Sequence, residues 1–422
     1  MSTASSQGGT FLINLILANL WGVRLFGEYA IVVGTLAALT AIAQAGTAGT
    51  AIKYIAEHRE RNPARAGRIL GLCALASLAI AATLSAGLLL ASDWLAARVF
   101  SEPALIPVLR VAAIAVFFNV MSGFLTGALG GLEGYRALGR ASVVTGIMYV
   151  SICASAGWLW GVRGAVAGLA ISGCLQALVL SSVLLTTAGR AGIAVSWREG
   201  WQEAAIFRRY IAPAMFSSLV AFPAIWMGNA LLVQQNQGFR QMALFAAGNS
   251  FRMLVLVAPA ILNGVSLSLL NNQLGAADER RYRKVFWTNF LATTGFVLVM
   301  ALSISAVSPW IVAAFGEEFR PASAVLLVLM LATLPETMGN ALLQVVQTRE
   351  RGWLWFTAIV VPTYSVLILL ARYLTPTHGA VGLAWSYVGG MTVALLASIC
   401  VVSAIGLWAG QPPRAATEDI RG

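Results

Sequence analysis

Long apolar blocks, repeated along the whole chain and separated by short polar connections, leave this sequence few folds to choose from. The blocks run at about 6–23, 29–51, 69–91, 104–129, 142–160, 165–187, 209–233, 242–270, 286–310, 322–347, 353–373 and 380–407. A membrane-spanning helix needs about 20 apolar residues, because each adds about 1.5 Å against a hydrocarbon core of about 30 Å. Inside lipid the backbone must satisfy its own hydrogen bonds, which a helix does and an open strand does not. Charged residues make up 10% of the chain, against about 25% in soluble domains. That is too little charge to cover a water-facing surface. The expected fold class is an all-α integral membrane protein with about 12 transmembrane helices. No connection exceeds about 22 residues, so no sizeable extramembrane domain is expected.

The formal charge of +11 follows from loop composition rather than from a nucleic-acid surface, and no nucleic-acid partner is expected. Cytoplasmic loops of membrane proteins collect Lys and Arg. Alternate connections here divide their basic residues nineteen to six, the sparse side carrying Arg24, Arg98, Arg163, Arg240, Arg320 and Arg372. That division places the rich side and both termini in the cytoplasm. Trp21, Trp94, Trp158, Trp160, Trp310, Trp353, Trp355 and Trp408 fall at block ends, as an interfacial aromatic belt requires. The first 23 residues hold no Lys or Arg, so the basic region of a cleavable signal peptide is missing. Cys73, Cys153, Cys174 and Cys400 all lie in apolar blocks without paired spacing and read as small core residues. Two histidines far apart, His58 and His378, make no metal site. No cofactor is expected.

The two halves of the chain echo each other. Residues 164–170 read Gly-Ala-Val-Ala-Gly-Leu-Ala and residues 379–384 read Gly-Ala-Val-Gly-Leu-Ala. Met121 and Leu125 match Met338 and Leu342, and Pro103-Ala104 matches Pro321-Ala322. The offsets are 215, 217 and 218, close to half the chain. An offset of six helices is even, so the halves insert with the same orientation and are related by an axis along the membrane normal. The expected organisation is a six-helix half over 1–190, a cytoplasmic amphipathic linker over 191–208, a second six-helix half over 209–410 and a tail over 411–422. The linker carries Trp197, Trp201 and Phe207 against Arg198, Glu199, Glu203 and Arg208, a composition suited to lying along the interface.

Charge inside hydrocarbon costs about 2.5–3.5 kcal/mol at a helix centre on insertion scales, so each instance needs a reason. Arg252 lies near the middle of the eighth block; it is either a fixed cation for a bound anion or the partner of Glu336. Glu336, the one acidic residue in any block, is an ion-pair or coupling candidate. Arg110 sits in the outer third of the fourth block, where its stem can reach the interface. Arg24 and Lys53 sit at helix ends, where interfacial snorkelling is the ordinary reading. Asn14, Asn19, Gln44, Asn119, Asn229, Asn249, Asn263, Asn340 and Gln344 are polar groups within spans. They are expected to face the bundle interior, either bonding another helix or lining a path. Pro107, Pro213, Pro223, Pro259, Pro335 and Pro362 interrupt helical hydrogen bonds.

Arg24-Leu25-Phe26-Gly27-Glu28-Tyr29-Ala30 resembles the turn between the first two helices of polysaccharide (oligosaccharide, O-antigen-type) flippases of the MATE-like MOP exporter superfamily. Ala45-Gly46 followed by Lys53-Tyr54-Ile55-Ala56-Glu57 is similar to that family's Gly-rich segment running into a basic loop. Pro213, Pro259 and the run Met242-Ala243-Leu244-Phe245-Ala246-Ala247 also fit. The resemblance covers essentially the whole chain. It implies two pseudo-symmetric six-helix bundles around a central cavity in a bacterial inner membrane. It implies export of a polyprenyl-diphosphate-linked oligosaccharide for surface polysaccharide (O-antigen, capsule or exopolysaccharide), with membrane lipids and polysaccharide-assembly proteins as partners. It places Arg24 and Lys53 near the cavity, and makes Arg252, Arg110, Asn249 and Asn229 cavity candidates. A drug or cation antiporter of the same superfamily would want more intramembrane carboxylate. A lipid II flippase shares the chemistry but more often has fourteen helices. A membrane-embedded polymerase or glycosyltransferase would need a large external loop with paired acids, which these short connections do not hold, so no enzyme is expected.

Overall fold

The structure, a computed structural model, describes residues 2–196, 212–275, 279–349 and 352–404. Most of the 191–208 linker and the whole 411–422 tail therefore lie outside the described residues. The long elements are α1 (Ser2–His58), α2 (Pro63–Trp94), α3 (Ile106–Gly131), α4 (Tyr135–Arg190), α5 (Ala212–Val233), α6 (Gly238–Gly275), α7 (Glu279–Ala306), α9 (Ala322–Thr348) and α11 (Val361–Ala404). Short helices α8 (Ser308–Ala313) and α10 (Gly352–Trp355) connect them. Among the described residues there is no strand, and nine helices are long and apolar enough to cross a membrane.

Three of those nine are too long to be one crossing. The apolar helix holding α4 has 56 residues, about 84 Å at 1.5 Å per residue, nearly three hydrocarbon thicknesses. Each of the three breaks at a glycine in the left-handed region: Gly22 (φ 71°) in α1, Gly161 (φ 61°) in α4 and Gly379 (φ 55°) in α11. A Cβ penalises that conformation, so glycine is where a helix can turn. Beyond each break the chain runs back along itself. A Cβ on Gly164 would overlap the carbonyl oxygen of Ala156, and one on Gly382 would overlap that of Leu374. These contacts hold the two arms of each hairpin at backbone distance.

The two hairpins share one geometry at an offset of 218: Gly161 with Gly379, Gly164 with Gly382, Ala156 with Leu374. The sequence match had paired Gly164 with Gly379, three residues or about one turn out of register. Glycines recur at helical spacing along both arms, so identical letters align at more than one offset. The first turn also differs from expectation. It lies at Gly22, and Arg24–Tyr29, expected as a turn, forms the opening of the second arm of α1. Elsewhere the ends follow local chemistry: α2 starts at Pro63 behind Asn62, whose side chain accepts from the Arg65 N–H at 3.0 Å.

Helices α1–α4 pack as one group and α5, α6, α7, α9 and α11 as another, with α1 against α5 and α6 joining them. One buried core runs through both groups on the side of Gly22 and Gly316; it includes Phe26, Tyr29, Phe100, Phe245, Phe315 and Phe319. At the opposite, Arg-rich end the groups have separate cores, one around Ile55, Ile69, Leu129 and Leu184, the other around Leu270, Phe286, Val345 and Val402. Large apolar side chains such as Leu90, Ile147, Leu185, Leu291 and Leu302 are exposed on the outside. That is the distribution a protein surrounded by hydrocarbon needs. The molecule is a multi-pass membrane protein.

Candidate functional site

The two groups of helices enclose a cavity of about 870 Å³ between them. Its wall mixes apolar side chains, among them Phe11, Val33, Ile225 and Met253, with neutral polar ones. From the first group come Gln7, Thr10, Asn14, Tyr29, Gln44, Asn119, Thr145, Tyr149 and Gln176; from the second come Asn229, Asn249, Ser250, Tyr364 and Tyr387. Two charged side chains, Arg252 and Glu336, complete the lining among the described residues.

Arg252 stands fifteenth in the 30-residue apolar stretch Gly238–Leu267, about 21 Å from its start. It is 3% exposed, too deep for its guanidinium to snorkel to either end. Glu336 of α9 meets it: Nη2 donates to Oε2 at 2.6 Å and Nε donates to the same oxygen at 3.1 Å. Nη1 donates to Oδ1 of Asn249, one turn earlier on α6, at 3.0 Å. The Tyr387 ring lies under the guanidinium, 5.0 Å from centroid to Cζ, a cation–π contact strengthened by burial. Three of five N–H donors are thus engaged and two are left for a ligand. Pro335 precedes Glu336 inside α9 and lacks the N–H that would bond one turn back, which loosens the helix beside the carboxylate.

The other wall residues are held by bonds to their neighbours. Asn14 Nδ2 donates to Ser250 Oγ at 3.1 Å across the two groups. Gln44 Nε2 donates to the Asn119 carbonyl at 3.1 Å. Asn229 is 8% exposed and its Oδ1 is buried without a protein donor. An orphaned acceptor on a cavity wall costs free energy unless something donates to it.

The expected site residues divide. Arg252, Glu336, Asn249 and Asn229 come together in the cavity, as do Asn14, Gln44 and Asn119. Arg110, Arg24 and Lys53 do not line it. Arg110 pairs with Asp93 at 3.1 Å at an exposed position near the helix ends. Arg24 has a 73% exposed side chain between Glu28 and Glu102, and Lys53 is exposed beside the Tyr54 ring. Long basic side chains reach water where they can, and these three can. Asn263 and Gln344 form a separate cluster with Asn289: Asn289 and Gln344 both donate to Asn263 Oδ1, at 2.8 and 2.6 Å. Asn19 bonds the Ala314 carbonyl at 2.7 Å. Sequence reasoning missed the tyrosines Tyr29, Tyr149, Tyr364 and Tyr387, because tyrosine in an apolar block reads as core or interface.

The cavity is closed on the Gly22–Gly316 side. There Phe26 packs on Phe315 and Phe319 with ring centroids 6.4 and 5.7 Å apart, and Phe11 packs on Phe251 at 5.1 Å. Glu318 Oε2 accepts from the Val23 N–H at 3.2 Å, at the start of the second arm of α1, where the exposed N–H groups of a helix favour an anion. Trp226 Nε1 donates to Thr35 Oγ1 at 2.9 Å, and Gln234 Nε2 to the Val99 carbonyl at 3.1 Å.

Two helical groups joined at one end, with a cavity between them, are the fold of solved MOP-superfamily transporters, which superpose on this chain over nearly its full length. The lipid II flippase MurJ in an inward closed conformation has a TM-score of 0.76 at 13% identity, covering 95% of this chain and 86% of that one. An inward-facing multidrug resistance MATE transporter scores 0.74 at 16% identity, covering 96% and 95%. A MOP transporter from Pyrococcus furiosus, described as having a binding pocket of reverse polarity, scores 0.72 at 17%, covering 97% and 94%. Residues 1–267 match the family described as polysaccharide biosynthesis protein, and the chain belongs to that family. The EPS I polysaccharide export inner membrane protein EpsE of Ralstonia nicotianae is 24% identical, covering 91% of this chain and 88% of the relative. The protein of the same name from Ralstonia solanacearum is also 24% identical, covering 91% and 88%.

Proposed function

We propose that this protein is a flippase that moves a polyprenyl-diphosphate-linked oligosaccharide across the bacterial inner membrane for surface polysaccharide assembly. The observation that carries the reading is Arg252, a midplane cation in a wall of amides, hydroxyls and tyrosines. The guanidinium fork suits a phosphate oxygen pair, and low local dielectric strengthens the attraction. Amides and hydroxyls suit sugar hydroxyls, while the polyprenyl chain stays in lipid beside the bundle. Family membership and the polysaccharide export relatives support the same substrate class. After pairing with Glu336 and Asn249 the guanidinium keeps two N–H donors for an anionic group. Purified protein in liposomes is expected to carry a polyprenyl-diphosphate oligosaccharide from one leaflet to the other. Movement no faster than in protein-free liposomes would overturn the proposal.

We place the Arg-rich end in the cytoplasm and count twelve crossings, each glycine-broken element contributing two. On that orientation the aromatic seal is the outer gate and the cavity faces inward. Cysteines replacing Arg61 and Arg281 are expected to label from the cytoplasm, and those replacing Arg98 and Arg320 from outside. Labelling of all four from one side would refute the count.

A further inference from the structure

We infer that the glycan carried by this protein is free of uronates, its negative charge confined to the diphosphate. The inference rests on the flippase reading and adds to it the chemical class of the sugar. It comes from the charge inventory of the cavity wall. Among the described residues that wall has one cation and one anion, Arg252 and Glu336, and each holds the other at 2.6 Å. The two remaining donors of Arg252 serve one anionic group, and the proposed substrate brings one, its diphosphate. A uronate further along the chain would meet Gln7, Asn14, Gln44, Asn119 or Gln176. Such neutral dipoles can solvate a carboxylate in part, but none offers a countercharge, and an ion taken from water into low dielectric without one is strongly disfavoured.

The same wall is well matched to neutral sugars. Hydroxyl and acetamide groups each donate and accept, as do the Asn, Gln, Ser, Thr and Tyr side chains facing them. Tyr149 and Tyr364, partly exposed on the wall, combine an apolar ring with a polar tip, which suits pyranose rings.

The test uses the purified full-length protein in liposomes with two substrates. One is a polyprenyl diphosphate bearing a neutral hexose–N-acetylhexosamine unit; the other differs only in a hexuronate replacing the hexose. Transfer is read by membrane-impermeant periodate oxidation, which reports both glycans by the same chemistry. The neutral substrate is expected to cross at least about tenfold faster, tenfold being about 1.4 kcal/mol. Gln176→Arg or Gln44→Arg, each adding a cation to the wall, is expected to narrow that gap by raising uronate transfer; size-exclusion chromatography checks that each variant is folded. Equal wild-type rates, a faster uronate, or a gap unchanged by both folded variants would overturn the inference while leaving the flippase reading intact. Movement of neither substrate would overturn the flippase reading, and this inference with it.

Discussion

Arg252→Ala is expected to lower transport at least about a hundredfold, and restoring the protein's stability is expected not to bring transport back. Breaking one side of a buried ion pair costs about 3–5 kcal/mol, because the partner is left charged and unpaired. The single variant therefore confounds folding with function, as Glu336 sits against Arg252 at 2.6 Å with a 15% exposed side chain. Pairing Arg252→Met with Glu336→Gln removes both charges and is expected to recover membrane level, since neutral replacement of a buried pair is often no worse than the pair itself. If Arg252 binds the diphosphate, that double variant stays inactive. Arg252→Lys is expected to retain some transport, because a point charge persists without the bidentate fork. Recovery of transport in the double variant would show that the pair is structural and would remove Arg252 from the substrate site. Transport in liposomes, normalised to folded protein, reads all three variants.

Gly27→Leu is expected to push the protein towards an outward-open state. A Cβ at Gly27 would overlap the Phe239 carbonyl oxygen at the start of α6. Backbone cannot give way as a flexible side chain can, so the second arm of α1 must move off α6. That contact lies on the sealed side of the cavity, beside Phe26, Phe315 and Phe319. Overpacking of this kind costs about 1–3 kcal/mol, equivalent to a shift of about 5- to 150-fold in a two-state equilibrium. A cysteine replacing Asn14, which lines the cavity, is expected to react with an impermeant maleimide from outside about tenfold faster in the Gly27→Leu background. Unchanged labelling with a reduced protein level would mean that Gly27 serves folding alone.

These two expectations differ in how much of each could be read from the chain. Arg252 and Glu336 stand out in the sequence, because a charge in an apolar block is costly wherever the block is placed in the fold. Gly27 does not stand out in that way. It is one of 41 glycines, and its importance comes from a carbonyl more than two hundred residues away.

The sequence by itself determined what depends on local composition and on water. It set the class, because apolar blocks of span length can be buried only in lipid as helices. It set the approximate number of spans and the division of basic residues, and it marked Arg252, Glu336, Asn249 and Asn229 as buried polar groups needing partners. Only the tertiary structure decided which of those partners they found. It paired Arg252 with Glu336, left Asn229 Oδ1 unpaired on the cavity wall, and sent Arg24, Lys53 and Arg110 to exposed positions outside it. It also placed the helix reversals at Gly22, Gly161 and Gly379 and set the repeat register at 218. The physical reason is that hydrophobicity varies smoothly along a helix and hardly marks a one-turn shift, whereas a backbone contact between helices tolerates none. Which face of a helix meets the cavity, the lipid or another helix is a property of packing, and packing in this chain joins residues far apart in the sequence.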